Sequence, residues 1–318
     1  MSDHPKKSDS DAPQFFESWR SYWNFRREVA RDWRYVRSAQ SQRFLSKLET
    51  DCYSRAVDIP ADRHFYRAQV AHHDDLNPEI GEALPRPALP QRMRPLRDRA
   101  REGRVNPKGI PCLYVASDKH TAIAESRPWI GSLVSVAVFR TDRSLRVVDC
   151  THDADQQLFY LEGDPPPEER ARSVWSHIAR AFREPVTRDD DVADYAPTQV
   201  IAEVFRANGF DGVAYRSAFG TEKYNLALFD LDAATPVMCS LFEVKDVELK
   251  FEEAANPYYV RPQDDGSNSL VRNAITDIRP VNQPDTSQDP DATRSINSST
   301  ATSRRPRTPA PGPNCECR

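Results

Sequence analysis

The 318-residue chain carries 44 basic and 48 acidic side chains, and a net charge of −4 gives it no general attraction to nucleic acid or anionic membrane. No apolar run reaches the ~18–20 residues of a membrane helix, and MSDHPKKSDSDAPQ lacks the apolar stretch of a secretory signal. The six cysteines show no CxxC spacing and read as free thiols, so the expectation is a cytoplasmic protein with no metal site.

Residues 1–13 and 261–318 are dominated by polar side chains. Such stretches bury too little apolar area to offset their ordering entropy, and disorder is expected there. Residues 14–60 form a helical extension. Phe16, Trp19, Trp23, Val29, Trp33 and Val36 recur at helical spacing as one apolar stripe, with Pro13 in the first turn and Asp11 as its cap. A second helix is expected from about Ser41 to Ala56, with Phe44, Leu45 and Leu48 facing inward. Arg20, Arg26, Arg27, Arg31, Arg34 and Arg37 fill the opposite side of the first helix. They are either a solvated face or a docking surface for an acidic partner or nucleic acid.

The main domain is expected over residues 61–260. FYRAQVA (65–71) predicts a strand. The Pro- and Arg-rich stretch after it predicts a loop, because Pro85, Pro87, Pro90 and Pro95 forbid a long helix before residue 96. Ile110 to Ala116 reads as a strand, and Asp118 or Ser117 caps a helix carrying Ala122, Ile123 and Glu125. LVSVAVFR and SLRVVDC predict a hairpin turning at Thr141–Asp142–Arg143. A helix over 167–183 has Val174, Trp175, Ile178 and Phe182 on its core face. Pro197 and Thr198 open another, with Val200, Ile201, Val204 and Phe205 inward and Asn208–Gly209 as its stop. Two strands follow, GVAYRSA and YNLALFD, joined by a loop containing Gly220, and VKDVELKFE predicts a last strand. Interspersed strands and helices of this kind define an α+β domain.

No Walker loop, GxGxxG, GxSxG or HExxH is present. What stands out is a set of polar residues inside apolar elements. Arg67 interrupts a strand, Arg104 and Asn106 sit in a Gly/Pro loop, and Tyr114 lies mid-strand. Glu125 follows the small apolar run Ala122–Ala124, and Ser217 follows Tyr215–Arg216 at a strand exit. Each alone is more simply explained by a structural duty: an ion pair, core packing, a helix surface, a turn.

Taken together, YRA, GRVNPKGIPCLYVASDKHTAIAE, YAPTQ, GFDGVAYRS and NLALF resemble the RES domain over about residues 61–250. The family is named for an arginine, a glutamate and a serine, here Arg67, Glu125 and Ser217. The resemblance does not extend to the N-terminal helices or the tail, and the stretch 72–102 is long for the family. It implies an ADP-ribosyltransferase-like mixed β-sheet with flanking helices, binding and breakdown of NAD⁺ as substrate, and no separate cofactor. It also implies the role of toxin in a bacterial toxin–antitoxin pair, opposed by an antitoxin with a helix-turn-helix domain. A homodimer is a further expectation.

Under that resemblance Glu125 steadies the positive charge that develops when the glycosidic bond opens. Arg67 and Arg104 clamp the diphosphate, and Tyr114 stacks on a ring. Ser217 binds a ribose hydroxyl or holds Glu125, while Tyr66, Asn106 and Tyr215 complete the substrate contacts. Two alternatives stay open: transfer of ADP-ribose to a protein or nucleic acid, and a non-catalytic module that binds through the Arg-rich helices.

Overall fold

The computed structural model describes residues 13–79, 81–156, 158–161, 163–184, 192–219, 222–251, 259–263 and 268–271. The chain divides into two units, Met1–Glu248 and Leu249–Arg318. In the first, helices α1 (Ser21–Arg27) and α2 (Ala39–Asp51) precede strands β1 (Ala56–Ile59), β2 (His64–Gln69), β3 (His72–Asn77) and β4 (Glu82–Pro87). There follow α3 (Pro90–Met93), β5 (Leu113–Ala116), α4 (Lys119–Glu125), β6 (Leu133–Thr141), β7 (Leu145–Cys150), α5 (Pro167–Arg183) and α6 (Ala196–Ala207). Strands β8 (Gly212–Arg216), β9 (Tyr224–Leu228) and β10 (Ala234–Glu243) complete the unit.

Eight strands form one sheet in the order β1-β7-β8-β9-β5-β2-β6-β10. It is mixed: β7 and β8 run parallel, and the other neighbours antiparallel. Alternate residues of its central strands enter two different cores. Val148, Val213, Tyr215 and Ala227 face the helices, while Val147, Ala214, Leu226 and Leu228 face the other side with Phe65, Met93 and Phe139. That period of two is the strand geometry that buries both faces of a sheet.

The helical side joins α1 and α2 to α5 and α6. Phe16, Tyr22, Phe25, Val29, Phe44 and Leu48 share one core with Trp175, Ile178, Ile201 and Phe205. Each fully buried side chain of this size contributes roughly 1.5–3 kcal/mol. Trp175 donates its indole N–H to Asp51 at 2.9 Å, and Arg170 donates to the Phe16 carbonyl at 3.1 Å. α5 occupies the expected residues, and α6 stops where Gly209 takes a φ of +81°. Four free cysteines lie among the described residues, Cys52, Cys112 and Cys150 buried and Cys239 partly so. No helix among the described residues is long and apolar enough to cross a membrane.

Several expectations are corrected. β6 and β7 are not a hairpin: β6 pairs with β2 and β10, and β7 with β1 and β8. The turn between them is real, but an alternating pattern does not name the strand's partner. The last strand of the first unit is β10, upstream of VKDVELKFE, which is irregular over its described residues. The stretch after β2 is not a plain loop, for β3 and β4 pair along their whole length before α3.

In the N-terminal stripe, Pro13 opens no helix, because α1 begins only at Ser21 and Phe16 and Trp19 precede it, while Trp33 and Val36 are exposed, at 66% and 76%. The helix ends in a π turn at Glu28–Asp32, and Glu28 then accepts the Ser38 backbone N–H at 2.8 Å, so residues 33–37 loop into solvent. Part of the arginine face is used internally, with Arg26 and Arg31 at 3.5 and 3.3 Å from Asp194. In the second unit, β11 (Tyr259–Pro262) and β12 (Asn268–Val271) form an antiparallel ladder within a stretch whose composition reads largely as tail. The disorder expected for 1–12 and 272–318, the cap at Asp11 and the loop position of Gly220 lie outside the described residues.

One buried histidine makes the fold acid-sensitive. His177 on α5 lies 5.1 Å from the Trp23 ring and 6.1 Å from Trp19, and its Nδ1 has no hydrogen-bond partner among the described residues. Burial, helped by the Arg180 charge, pulls its pKa from 6.5 down to about 4. The unfolded chain therefore binds this proton more readily, and stability falls as pH drops through 6.5 towards 4. Between pH 7 and pH 5 the parent is expected to lose about 1–2 kcal/mol more than His177→Phe, read from urea midpoints at the two values.

Candidate active site

The site grows from one row of residues across four neighbouring strands. Tyr66 on β2 pairs with Ala116 on β5, Ala116 with Asn225 on β9, and Asn225 with Tyr215 on β8. Side chains in register share a face of the sheet, and all four residues line one cavity of about 460 Å³. That volume lies in the usual range for a small-molecule site, ~300–1,000 Å³. β2 and β5 pair only at Tyr66–Ala116, so beyond that bridge the strands part. Next to that bridge, Arg67 donates to the Tyr114 carbonyl at 2.9 Å.

Glu125 is the one carboxylate among the residues lining the cavity. It ends α4, a short helix started by Asp118, whose carboxylate accepts from the Thr121 backbone at 3.1 Å and hydroxyl at 2.6 Å. Its Oε1 accepts from Asn225 Nδ2 at 2.6 Å and from the Ser217 hydroxyl at 2.8 Å. Both donors thus hold the same oxygen. Among the described residues Oε2 carries no hydrogen bond, so it is left for whatever fills the cavity.

Arg67, Arg104 and Arg127 line the same cavity as the carboxylate. Among the described residues, the Nε atoms of Arg67 and Arg104 are buried without a partner. Burial lowers the Arg67 pKa to about 10, so the guanidinium still carries its charge at neutral pH. The Arg104 guanidinium lies 5.8 Å from the Tyr215 ring centre, and burial pushes that phenol up to about 12. Buried guanidiniums with spare donors are costly unless an anion completes them.

Tyr114 lies on the cavity wall with its hydroxyl already committed. It donates to Asn106 Oδ1 at 2.7 Å and accepts from the Val105 backbone N–H at 3.0 Å, and burial raises its pKa well above 10. Asn106 does not line this cavity; its amide donates to the carbonyls of Arg101, Pro107 and Ile110 and anchors Tyr114. Gln199 of YAPTQ donates to the Gly103 and Asn106 carbonyls at 2.9 and 3.1 Å, fixing the same loop against α6. A Cβ on Gly103 would sit 2.7 Å from the Tyr114 hydroxyl, so only glycine fits there. Ser217 is fully buried and also does not line the cavity; it reaches the site through Glu125.

Arg67, Arg104, Tyr66, Tyr114, Glu125 and Tyr215 are therefore brought together, with Asn106 and Ser217 behind them. Three further residues escaped notice in the sequence: Asn225, Tyr195 and Arg127. An asparagine opening the apolar run NLALF was a usable signal, since a buried amide demands partners. Arg127, in a left-handed conformation with φ +47°, gave none.

The model of the RES domain family matches residues 80–252. The chain belongs to the RES family. Glu125 and Ser217 lie inside the matched stretch of this RES protein, and Arg67 lies upstream of it. No curated protein matches the chain. Among solved structures there is similarity to a chain of the M. tuberculosis MbcT–MbcA toxin–antitoxin complex. The identity is 14%, the match covers 62% of this chain and 92% of that one, and the TM-score is 0.36.

Proposed function

We propose that this RES protein breaks the bond between nicotinamide and ribose in NAD⁺. The observation that supports it is Glu125: a carboxylate held at Oε1 by two donors and, among the described residues, free at Oε2, in a cavity with two arginines whose Nε atoms are buried without a partner. As the C1′–N bond lengthens, its electron pair leaves with nicotinamide, which departs neutral and needs no proton. Positive charge grows on C1′ and the ring oxygen, and a preorganised carboxylate stabilises it. Holding Oε1 in advance removes the cost of orienting Glu125 during reaction.

Arg67 and Arg104 bind the diphosphate, matching its oxygens with paired N–H donors. Tyr66, Tyr114 and Tyr215 offer ring faces, and Ser217, Asn225 and Asn106 act as positioning residues. The acceptor oxygen attacks C1′ and loses its proton to solvent or Glu125. Membership of the RES family suggests a cytoplasmic toxin role, countered by a cognate antitoxin carrying a helix-turn-helix domain.

Incubating the purified chain with NAD⁺, followed by product identification, tests this. Free nicotinamide with ADP-ribose or ADP-ribose phosphate is expected, and Glu125→Ala should release neither. Label fixed on a protein or nucleic acid would instead make it a transferase, and no nicotinamide release would overturn the proposal.

A further inference from the structure

A second cavity of about 520 Å³ shares Arg67, Tyr114 and Ser126 with the first. Its remaining walls come largely from the segment 92–101, inside the stretch 72–102 that is long for the family. Arg92, Arg94, Arg99 and Arg101 line it together with Arg67, and no carboxylate does. Arg94 is engaged elsewhere, donating to the Leu231 carbonyl at 2.7 Å and Asp232 at 3.1 Å, and Arg99 has Asp98 at 3.4 Å. Among the described residues, the side chains of Arg92 and Arg101 have no carboxylate or other partner. The unpartnered Nε of Arg67 lies deep on the shared wall. Arg92 and Arg101 are exposed, and with no carboxylate in the lining to balance them this wall presents positive charge to an entering anion.

Resting on the function proposed above, we infer that the second cavity holds a phosphate monoester on the adenosine ribose, so that the preferred substrate is the 2′-phosphorylated dinucleotide, NADP⁺. Cleavage at Glu125 fixes the nicotinamide end in the first cavity. Arg67, on the common wall, takes the diphosphate, and the adenosine half then extends into the second. In NAD⁺ that half beyond the diphosphate is uncharged and leaves Arg92 and Arg101 without a counter-charge. A 2′-phosphate supplies one.

The test compares kcat/KM for NADP⁺ and NAD⁺ in the full chain and in Arg92→Ala/Arg101→Ala, with thermal midpoints checked for equality. The parent should favour NADP⁺ by about tenfold or more, the worth of one good charge-assisted contact, and the ratio should fall towards one in the variant. A parent ratio near one, or a preference that the double substitution leaves intact, would sink the inference while leaving NAD⁺ cleavage standing. If neither dinucleotide is consumed, the proposed function fails, and calorimetric titration with ADP-ribose and its 2′-phosphate still decides the matter. Tighter binding of the phosphorylated compound, lost in the variant, supports the site; equal binding rejects it. Inorganic phosphate binding as tightly as the 2′-phosphorylated compound would also reject assignment to a dinucleotide.

Discussion

Glu125→Gln should lower kcat for NAD⁺ cleavage by about 10²–10³-fold with little change in KM, since losing one preorganised electrostatic contact to a transition state costs roughly 3–4 kcal/mol. Glutamine keeps the shape, and its amide oxygen still accepts from Asn225 and Ser217, which now meet on Oε1. What disappears is the negative charge on the free side of the carboxyl. Ground-state NAD⁺ gains less from that charge than the opening sugar does, so the loss belongs in kcat. Near-UV circular dichroism and the thermal midpoint should match the parent. Turnover within a factor of about three of the parent would remove Glu125 from the chemistry.

Arg67→Ala should act on binding first. The guanidinium donates to the Tyr114 carbonyl at 2.9 Å and keeps a buried Nε without a partner among the described residues. Losing a charged donor from a buried site costs about 1.5–3 kcal/mol, which predicts a Kd for NAD⁺ raised roughly 10–150-fold. Titration calorimetry in the Glu125→Gln background, where turnover is slowed about 10²–10³-fold, measures this. Arg67→Lys should recover only part of the loss, because an ammonium lacks the planar fork. Unchanged affinity with a lowered thermal midpoint would instead assign Arg67 to holding β2 and β5 together where their pairing ends.

Much of this was legible in residue order. The apolar spacing of α5 gave its limits, Asp118 and Gly209 marked a start and a stop, and lone polar residues in apolar runs pointed to the cavity wall. Asn106 and Ser217 were legible as unusual but not as second-layer supports. Whether a buried polar side chain meets a ligand or a neighbour depends on what lies across the sheet. The stripe from Phe16 to Val36 is helical only from Ser21, and its end failed for a related reason: periodicity continued through Trp33, while Glu28 and Ser38 closed a turn that sent the chain into solvent.

By itself the sequence determined the local periods, the caps and the α+β class, because those depend on interactions between residues a few positions apart. Only the tertiary structure decided that β6 and β7 part company, that Asn225 joins Ser217 on a single oxygen of Glu125, and that the arginines of 92–101 surround a chamber adjoining Arg67. Strand pairing and side-chain convergence are set by burial summed over the whole sheet, and no short window of residues contains that sum.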